Sequence, residues 1–357
     1  MRMQFYACIF IVGIIFNTLN STMPFYSAIS LNGIENAKQD PVEFFAQHID
    51  EMKRYMQTFK VESISFPVQQ HERSDAVFTR KGLLALRPNA LGTVIICHGY
   101  THSKHEAFFF RTLFPHFNVL VFDFRAHGEL IEGQYSTIGS EEIFDVFGAV
   151  QFVKTHPQLK NKPIIGFGFS MGAVSLLQAQ AHFKDMFDLL ILDSPFDSSS
   201  DCMENCIDRL LTYRLFGKTY RFPGKWLIMK SLYNPRLVPL MKPLFRWASG
   251  LNVTLVKTKF LPVIPIQKAP DIQIPCFFIT CEKDNKVPVE SVSRLYEAVQ
   301  SPYKRLWITG GYKHCGSCLF NPELYSYRVN KFIQAVLSKG WSKPTKIYDE
   351  RVLSEVV

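Results

Sequence analysis

The chain has 357 residues, 47% of them hydrophobic and 20% charged, with a formal net charge of +9. That length and composition accommodate one large core or two modest ones and exclude a chain that is disordered by composition.

Arg2 precedes a 12-residue apolar run, Phe5 to Phe16, which is followed by polar residues from Asn17 to Thr22. The run is shorter than the roughly 20 residues of a membrane span and fits the apolar region of a secretory signal. Residues 1–22 are therefore read as a signal peptide or an N-terminal anchor, since Ala28-Ile29-Ser30, the one A-x-A-like triplet, lies well downstream. Either way the body is expected outside the cytoplasm, secreted, periplasmic or membrane-anchored.

Pro41 to Phe59 has the apolar spacing of an amphipathic helix, and Val61 to Val68 and Ala76 to Leu86 read as strands. From Thr93 the pattern becomes regular. Apolar strands at Thr93 to Cys97, Val119 to Phe124, Ile164 to Phe169, Leu189 to Leu192, Cys276 to Thr280 and Arg305 to Ile308 alternate with helices. Those helices run over Lys104 to Pro115, Glu141 to Thr155, Met171 to Phe183, Val289 to Val299 and Pro322 to Ser338. Short, continuously apolar strands alternating with amphipathic helices predict an α/β fold, a mainly parallel sheet covered on both faces, with its site at the carboxyl ends of the strands. The alternation breaks between Leu192 and Pro275, where no clear strand is seen. The expected division is a core over residues 41–197 and 271–340, an inserted helical lid over 198–270 and a tail over 341–357.

Gly168-Phe169-Ser170-Met171-Gly172 sits at a strand-to-helix junction, the setting of a nucleophile elbow, where a serine is held exposed on a strained turn. Gly168 and Gly172 lack a Cβ, so strand and helix backbones can close around the serine. A serine hydroxyl needs a base, and the base an orienting acid. Asp284 follows the strand ending at Thr280, and His314 follows the strand ending at Ile308 through Gly310-Gly311, so both reach the same edge in the order Ser, Asp, His. Asp193 and Glu282 are fallback acids. The oxyanion requires two backbone donors, which the Tyr100 amide, after His98-Gly99, and the Met171 amide would supply. His98 precedes the nucleophile and is read as a tie for its loop. No metal and no organic cofactor is implied.

His98-Gly99-Tyr100, Asp123-Phe124-Arg125-Ala126-His127-Gly128, Gly168 to Ala173, Asp193-Ser194-Pro195, Asp284-x-x-Val287-Pro288 and Gly311-x-x-His314 together resemble the α/β-hydrolase superfamily. Within it the resemblance is to single-domain serine aminopeptidase-like and prolyl-oligopeptidase-like hydrolases, and it covers Val61 to Lys339 apart from the insertion. It implies Ser170 as nucleophile, Asp284 as acid, His314 as base and a lid after the sixth strand. Arg125-Ala126-His127-Gly128 departs slightly from the family's Arg-Gly-His-Gly turn.

From Arg209 to Lys268 the insertion carries 12 lysines or arginines and no acid, so the rest of the chain sums to about −3. Rings such as Trp226, Trp247, Tyr220 and Phe260 are interleaved with these cations. Such a lid fits an anionic membrane surface or an acidic partner, against the plainer reading of a solvated cap. No nucleic-acid motif accompanies the charge. Among the eight cysteines, Cys97, Cys276 and Cys281 read as buried hydrophobes. Cys202, Cys206, Cys315 and Cys318 read as candidates for disulfides, with zinc a weaker alternative because the spacing is loose.

The expected activity is hydrolysis of an ester or amide through an acyl-enzyme, carboxylic or lipid esters ahead of peptides because the lid is apolar and aromatic. Competing readings are a serine peptidase of the same fold and a non-catalytic descendant that docks on anionic membranes or an acidic partner.

Overall fold

The structure, a computed structural model, describes residues 60–72, 74–215, 218–221, 223–232, 234, 237 and 256–338. The leader, the helix expected over Pro41 to Phe59, the tail and much of the insertion lie outside the described residues.

In chain order the elements are β1 (Lys60–Gln69), β2 (Val77–Leu86), β3 (Thr93–Cys97), α1 (Lys104–Phe108), β4 (Asn118–Phe122), α2 (Glu142–Thr155), β5 (Ile164–Phe169), α3 (Met171–Phe183) and β6 (Leu189–Asp193). There follow α4 (Ser199–Leu211), β7 (Thr212–Leu215), β8 (Lys218–Arg221), α5 (Lys225–Leu232), β9 (Cys276–Cys281), α6 (Val289–Ala298), β10 (Lys304–Thr309), α7 (Ser317–Phe320) and α8 (Pro322–Leu337). Eight strands form one sheet in the order β1-β2-β4-β3-β5-β6-β9-β10. From β4 to β10 every neighbour is parallel, and β1 and β2 close one edge antiparallel.

Both faces of this sheet are apolar because alternate residues of each strand feed different cores. Ile95, Leu120, Leu190 and Phe278 meet α2, α3 and α6 on one side. Val94, Val119, Ile165, Ile191 and Phe277 meet α8 and the Leu113 to Phe117 segment on the other. The α/β architecture read from the sequence is therefore the one observed.

Two departures have local causes. The helix expected over Lys104 to Pro115 is α1 followed by a 3₁₀ turn, Phe109–Leu113. The Phe110 ring packs on Phe169 at 4.4 Å, and Arg111 donates to the Phe108 carbonyl at 2.8 Å, so tertiary contacts decide the winding of this short segment. The insertion, expected to be helical, also contains an antiparallel hairpin, β7 with β8. Its strands are four residues each and carry charges, too short for an apolar run to reveal them. The chain re-enters the core through a bridge between Ser136 and Thr258 and through the Ser199 amide, which donates to the Val263 carbonyl at 2.8 Å.

A buried ionic knot joins β2, the loop after β4 and α2. Asp145 is fully buried and pairs with Arg80 Nε at 3.0 Å and Arg125 Nη2 at 3.1 Å, and its Oδ2 accepts the Arg125 amide at 2.8 Å. Burial alone would push the Asp145 carboxyl up, yet Arg125 and Arg80 hold it below the usual carboxylate range. Arg125 also bonds Glu141 at 2.9 Å. Removing one member strands the other charges out of water. Asp145→Ala is therefore expected to lower unfolding free energy by about 3–5 kcal/mol, read from the denaturant midpoint.

Candidate active site

Ser170 occupies the turn between β5 and α3 with φ 50° and ψ −115°, a conformation that costs a non-glycine residue on the order of 1–3 kcal/mol. It survives because the packing around it is close. A Cβ on Gly172 would lie 2.2 Å from the Cys97 carbonyl oxygen, and one on Gly168 would lie 2.7 Å from the Ala173 nitrogen. The Ser170 amide donates to the Asp193 carbonyl at 2.8 Å, and its own carbonyl accepts from Val174 at 3.0 Å. The hydroxyl is thus raised above the sheet on a turn whose backbone is bonded on both sides.

The structure brings Ser170, His314 and Asp284 together. His314 Nε2 lies 2.7 Å from Ser170 Oγ, and Nδ1 lies 2.8 Å from Asp284 Oδ2. With a carboxylate on Nδ1, that nitrogen carries the ring proton and Nε2 accepts from the serine hydroxyl. The loop after β9 holds the acid, whose Oδ1 accepts the amides of Lys286 at 2.8 Å and Val287 at 3.0 Å. Burial raises the Asp284 carboxyl, but His314 and those two amides outweigh it and keep it below its ordinary value. The His314 amide donates to Asn285 Oδ1 at 3.3 Å, a partner that nothing in the sequence marks.

The loop after β3 stands beside the serine: a Cβ on Gly99 would lie 3.8 Å from the Ser170 Cβ. Tyr100 follows Gly99 in this loop, and Met171 is the first residue of α3. The Tyr100 hydroxyl shares a hydrogen bond with Thr258 Oγ1 at 2.5 Å, which ties this loop to the returning end of the insertion. His98 is buried and accepts the Phe124 amide at 3.1 Å. Phe169, the residue before Ser170, is buried in the core with its ring 4.4 Å from that of Phe110.

Neither fallback acid reaches His314. Glu282 is exposed. Asp193 is fully buried beneath the elbow, where it accepts from the Ser194 hydroxyl at 2.9 Å and the Tyr325 hydroxyl at 2.8 Å. Tyr325, from α8, is a contact whose sequence separation hid it.

Cys97, Cys276 and Cys281 are buried as expected, but the candidates for pairing differ from expectation. Cys202, Cys315 and Cys318 are not in disulfides, and the Cys206 side chain lies outside the described residues. Burial raises the thiols of Cys315 and Cys318, which suits unreactive packing groups rather than a redox pair. Among the described residues no three histidine, cysteine, aspartate or glutamate side chains converge as a metal site.

A model of the alpha/beta hydrolase family matches residues 94–325. The chain is 33% identical over 245 residues to the uncharacterised protein YqkD of Bacillus subtilis (strain 168), a match spanning 68% of this chain and 70% of that one. The esterase Pf2001 of Pyrococcus furiosus superposes with a TM-score of 0.55 at 25% identity, covering 77% of this chain and 92% of that one. The peroxisomal alpha-beta-hydrolase Lpx1 of Saccharomyces cerevisiae, at 17% identity and a TM-score of 0.52 over 82% of this chain and 94% of its own, shares the fold.

Burial, opposed by the bonds from Tyr325 and Ser194, pushes the Asp193 carboxyl from 3.8 up to about 7. The folded state then binds more protons than the unfolded state across that window, so stability from this group is full below it and is lost as pH rises through about 7. Compared with wild type, Asp193→Asn is expected to gain in melting temperature between pH 5 and pH 8. A gap that is constant or moves the other way contradicts this placement of the charge.

Proposed function

The chain belongs to the alpha/beta hydrolase family, and from that premise we propose that it is a serine hydrolase that cleaves an ester or amide by acyl transfer. The observation that carries this reading is the unbroken relay from Ser170 Oγ through His314 to Asp284, with contacts of 2.7 and 2.8 Å. His314 Nε2 takes the hydroxyl proton as Oγ attacks the substrate carbonyl. The developing oxyanion is held by the amides of Tyr100 and Met171, and Asp284 stabilises the imidazolium. His314 returns the proton to the leaving group, then takes one from the water that attacks the acyl-enzyme and gives it to Ser170 Oγ as the acyl–Oγ bond breaks and the acid leaves.

Carboxylic esters are the favoured substrates over peptides. The apolar and aromatic character of the insertion favours an acyl chain, and the similar Pyrococcus protein is an esterase. Turnover of acyl esters of graded chain length should exceed that of aminoacyl amides. Ser170→Ala is expected to lower kcat by on the order of 10⁴ to 10⁶, with the fold unchanged by circular dichroism. A variant that retains wild-type turnover sinks the proposal.

The insertion supports a second element of this reading, contact with an anionic lipid surface. Trp226 is 68% and Leu227 57% exposed at the start of α5, with Tyr220 exposed on the hairpin and Lys230 5.9 Å from the Trp226 ring. Arg221 and Lys225 pair with Asp208 and Glu204, while Lys218 and Lys230 make no ion pair among the described residues. Export, or anchoring by the apolar leader, would keep such a surface near lipid. Lys218→Glu with Lys230→Glu is expected to weaken binding to vesicles containing anionic lipid about tenfold or more, since each basic residue contributes about 1 kcal/mol there. Binding to neutral vesicles should not change. Equal binding of both proteins to anionic vesicles contradicts the lipid contact.

A further inference from the structure

Two buried histidines, one in the loop after β3 that stands beside Ser170 and one in the loop after β4, take no part in the acyl transfer, and their bonds run in opposite directions between these two loops. His98 lies after β3, and the Phe124 amide, after β4, donates to its Nε2 at 3.1 Å. The ring proton therefore sits on Nδ1, which donates to the Gly99 carbonyl at 2.8 Å. His127 lies after β4, and the Thr101 amide, after β3, donates to its Nε2 at 3.2 Å. Its Nδ1 proton goes to the Arg125 carbonyl at 2.8 Å. Each loop thus gives the other one amide and receives one imidazole. The two rings meet edge to face at 5.1 Å, and the Tyr100 ring stands against His127 at 5.7 Å.

Tyr100 lies between the two tied groups. The Gly99 carbonyl before it is held by His98, and the Thr101 amide after it is held by His127. Thr101 has φ 67° and Ala126 φ 59°, left-handed values that non-glycine residues hold only when their surroundings enforce them. The loop after β4 is itself fixed, because the Arg125 amide is bonded to buried Asp145.

We propose that His98 and His127 form a reciprocal clasp that aims the Tyr100 amide at the oxyanion, which makes them positioning residues for the reaction at Ser170. This rests on the serine-hydrolase reading, because the clasp matters to catalysis only if the Tyr100 amide is an oxyanion donor. Neutral rings are required, since a proton on Nε2 would face a donor with a donor. Burial and the neighbouring His127, His102 and Lys104 hold His98 well below its ordinary value. Burial likewise lowers His127, against the opposing pull of the Arg125 carbonyl, Glu142, Asp123 and Asp145.

The test compares His127→Leu, which removes the acceptor, with His127→Gln, whose side-chain oxygen reaches the position of Nε2. Ester hydrolysis and inhibition by a trifluoromethyl ketone, which forms an oxyanion on Ser170, are measured for each with its melting curve. The Leu variant is expected to lose on the order of 100-fold in kcat with little change in KM, since small misplacements of a catalytic group carry that cost. It should lose ketone affinity in parallel, and the Gln variant should recover most of both. A purely packing role would lower the melting temperature and leave kcat and ketone affinity within about twofold, which overturns the clasp. Equal kcat losses in the Gln and Leu variants overturn it too. If the Leu variant does not fold, His127→Asn, whose oxygen stops short of the Nε2 position, takes its place against Gln under the same criteria. Wild-type protein without turnover overturns the hydrolase reading and the clasp together, whereas wild-type turnover with unaffected variants overturns the clasp alone.

Discussion

The close approach of α3 to the ends of β3 and β5 is the constraint on which the rest of this molecule depends. Ser170 at φ 50° is a costly conformation, and it is held only because Gly172 sits against the Cys97 carbonyl and Gly168 against the start of the helix. Any Cβ at Gly172 would force α3 off the sheet. That same approach sets the serine beside the loop after β3. The strain is stored in one turn and paid for by a helix whose residues are almost all buried.

Around that turn the fold spends buried polar groups on loop geometry rather than on stability alone. Asp284 is fixed by two amides, the Asp193 carboxyl ties the end of β6 to Ser194 and Tyr325, and Asp145 binds two arginines to hold the loop after β4. Buried ionic groups rarely outperform an apolar core in free energy, so those of Asp284 and Asp145 are better explained by the orientation they impose. The histidines of the loops after β3 and β4 extend this logic to the loop that carries Tyr100.

Much of this was legible in the sequence, for identifiable reasons. The parallel sheet announced itself because strands buried on both faces are continuous apolar runs, as in Val94 to Cys97 and Leu189 to Leu192. Ser170, Asp284 and His314 were visible because each follows such a run at a turn. Contacts between residues far apart in the chain were not: Tyr325 reaching Asp193, Thr258 reaching Tyr100, and the exchange of amides between His98 and His127 leave no periodic signal. The hairpin in the insertion was hidden because its strands are short and charged. The thiols misled because spacing suggests pairing, whereas Cys318 packs in the apolar core under α8.

The central claim is that Ser170 becomes covalently acylated during turnover. Rapid acid quench of the enzyme during hydrolysis of a p-nitrophenyl acyl ester, followed by peptide mass analysis, tests this most directly. The account predicts a mass gain of one acyl group on the peptide that contains Ser170, accumulating with the first release of p-nitrophenol. Steady turnover with no adduct, or with the acyl group on another peptide, would contradict it.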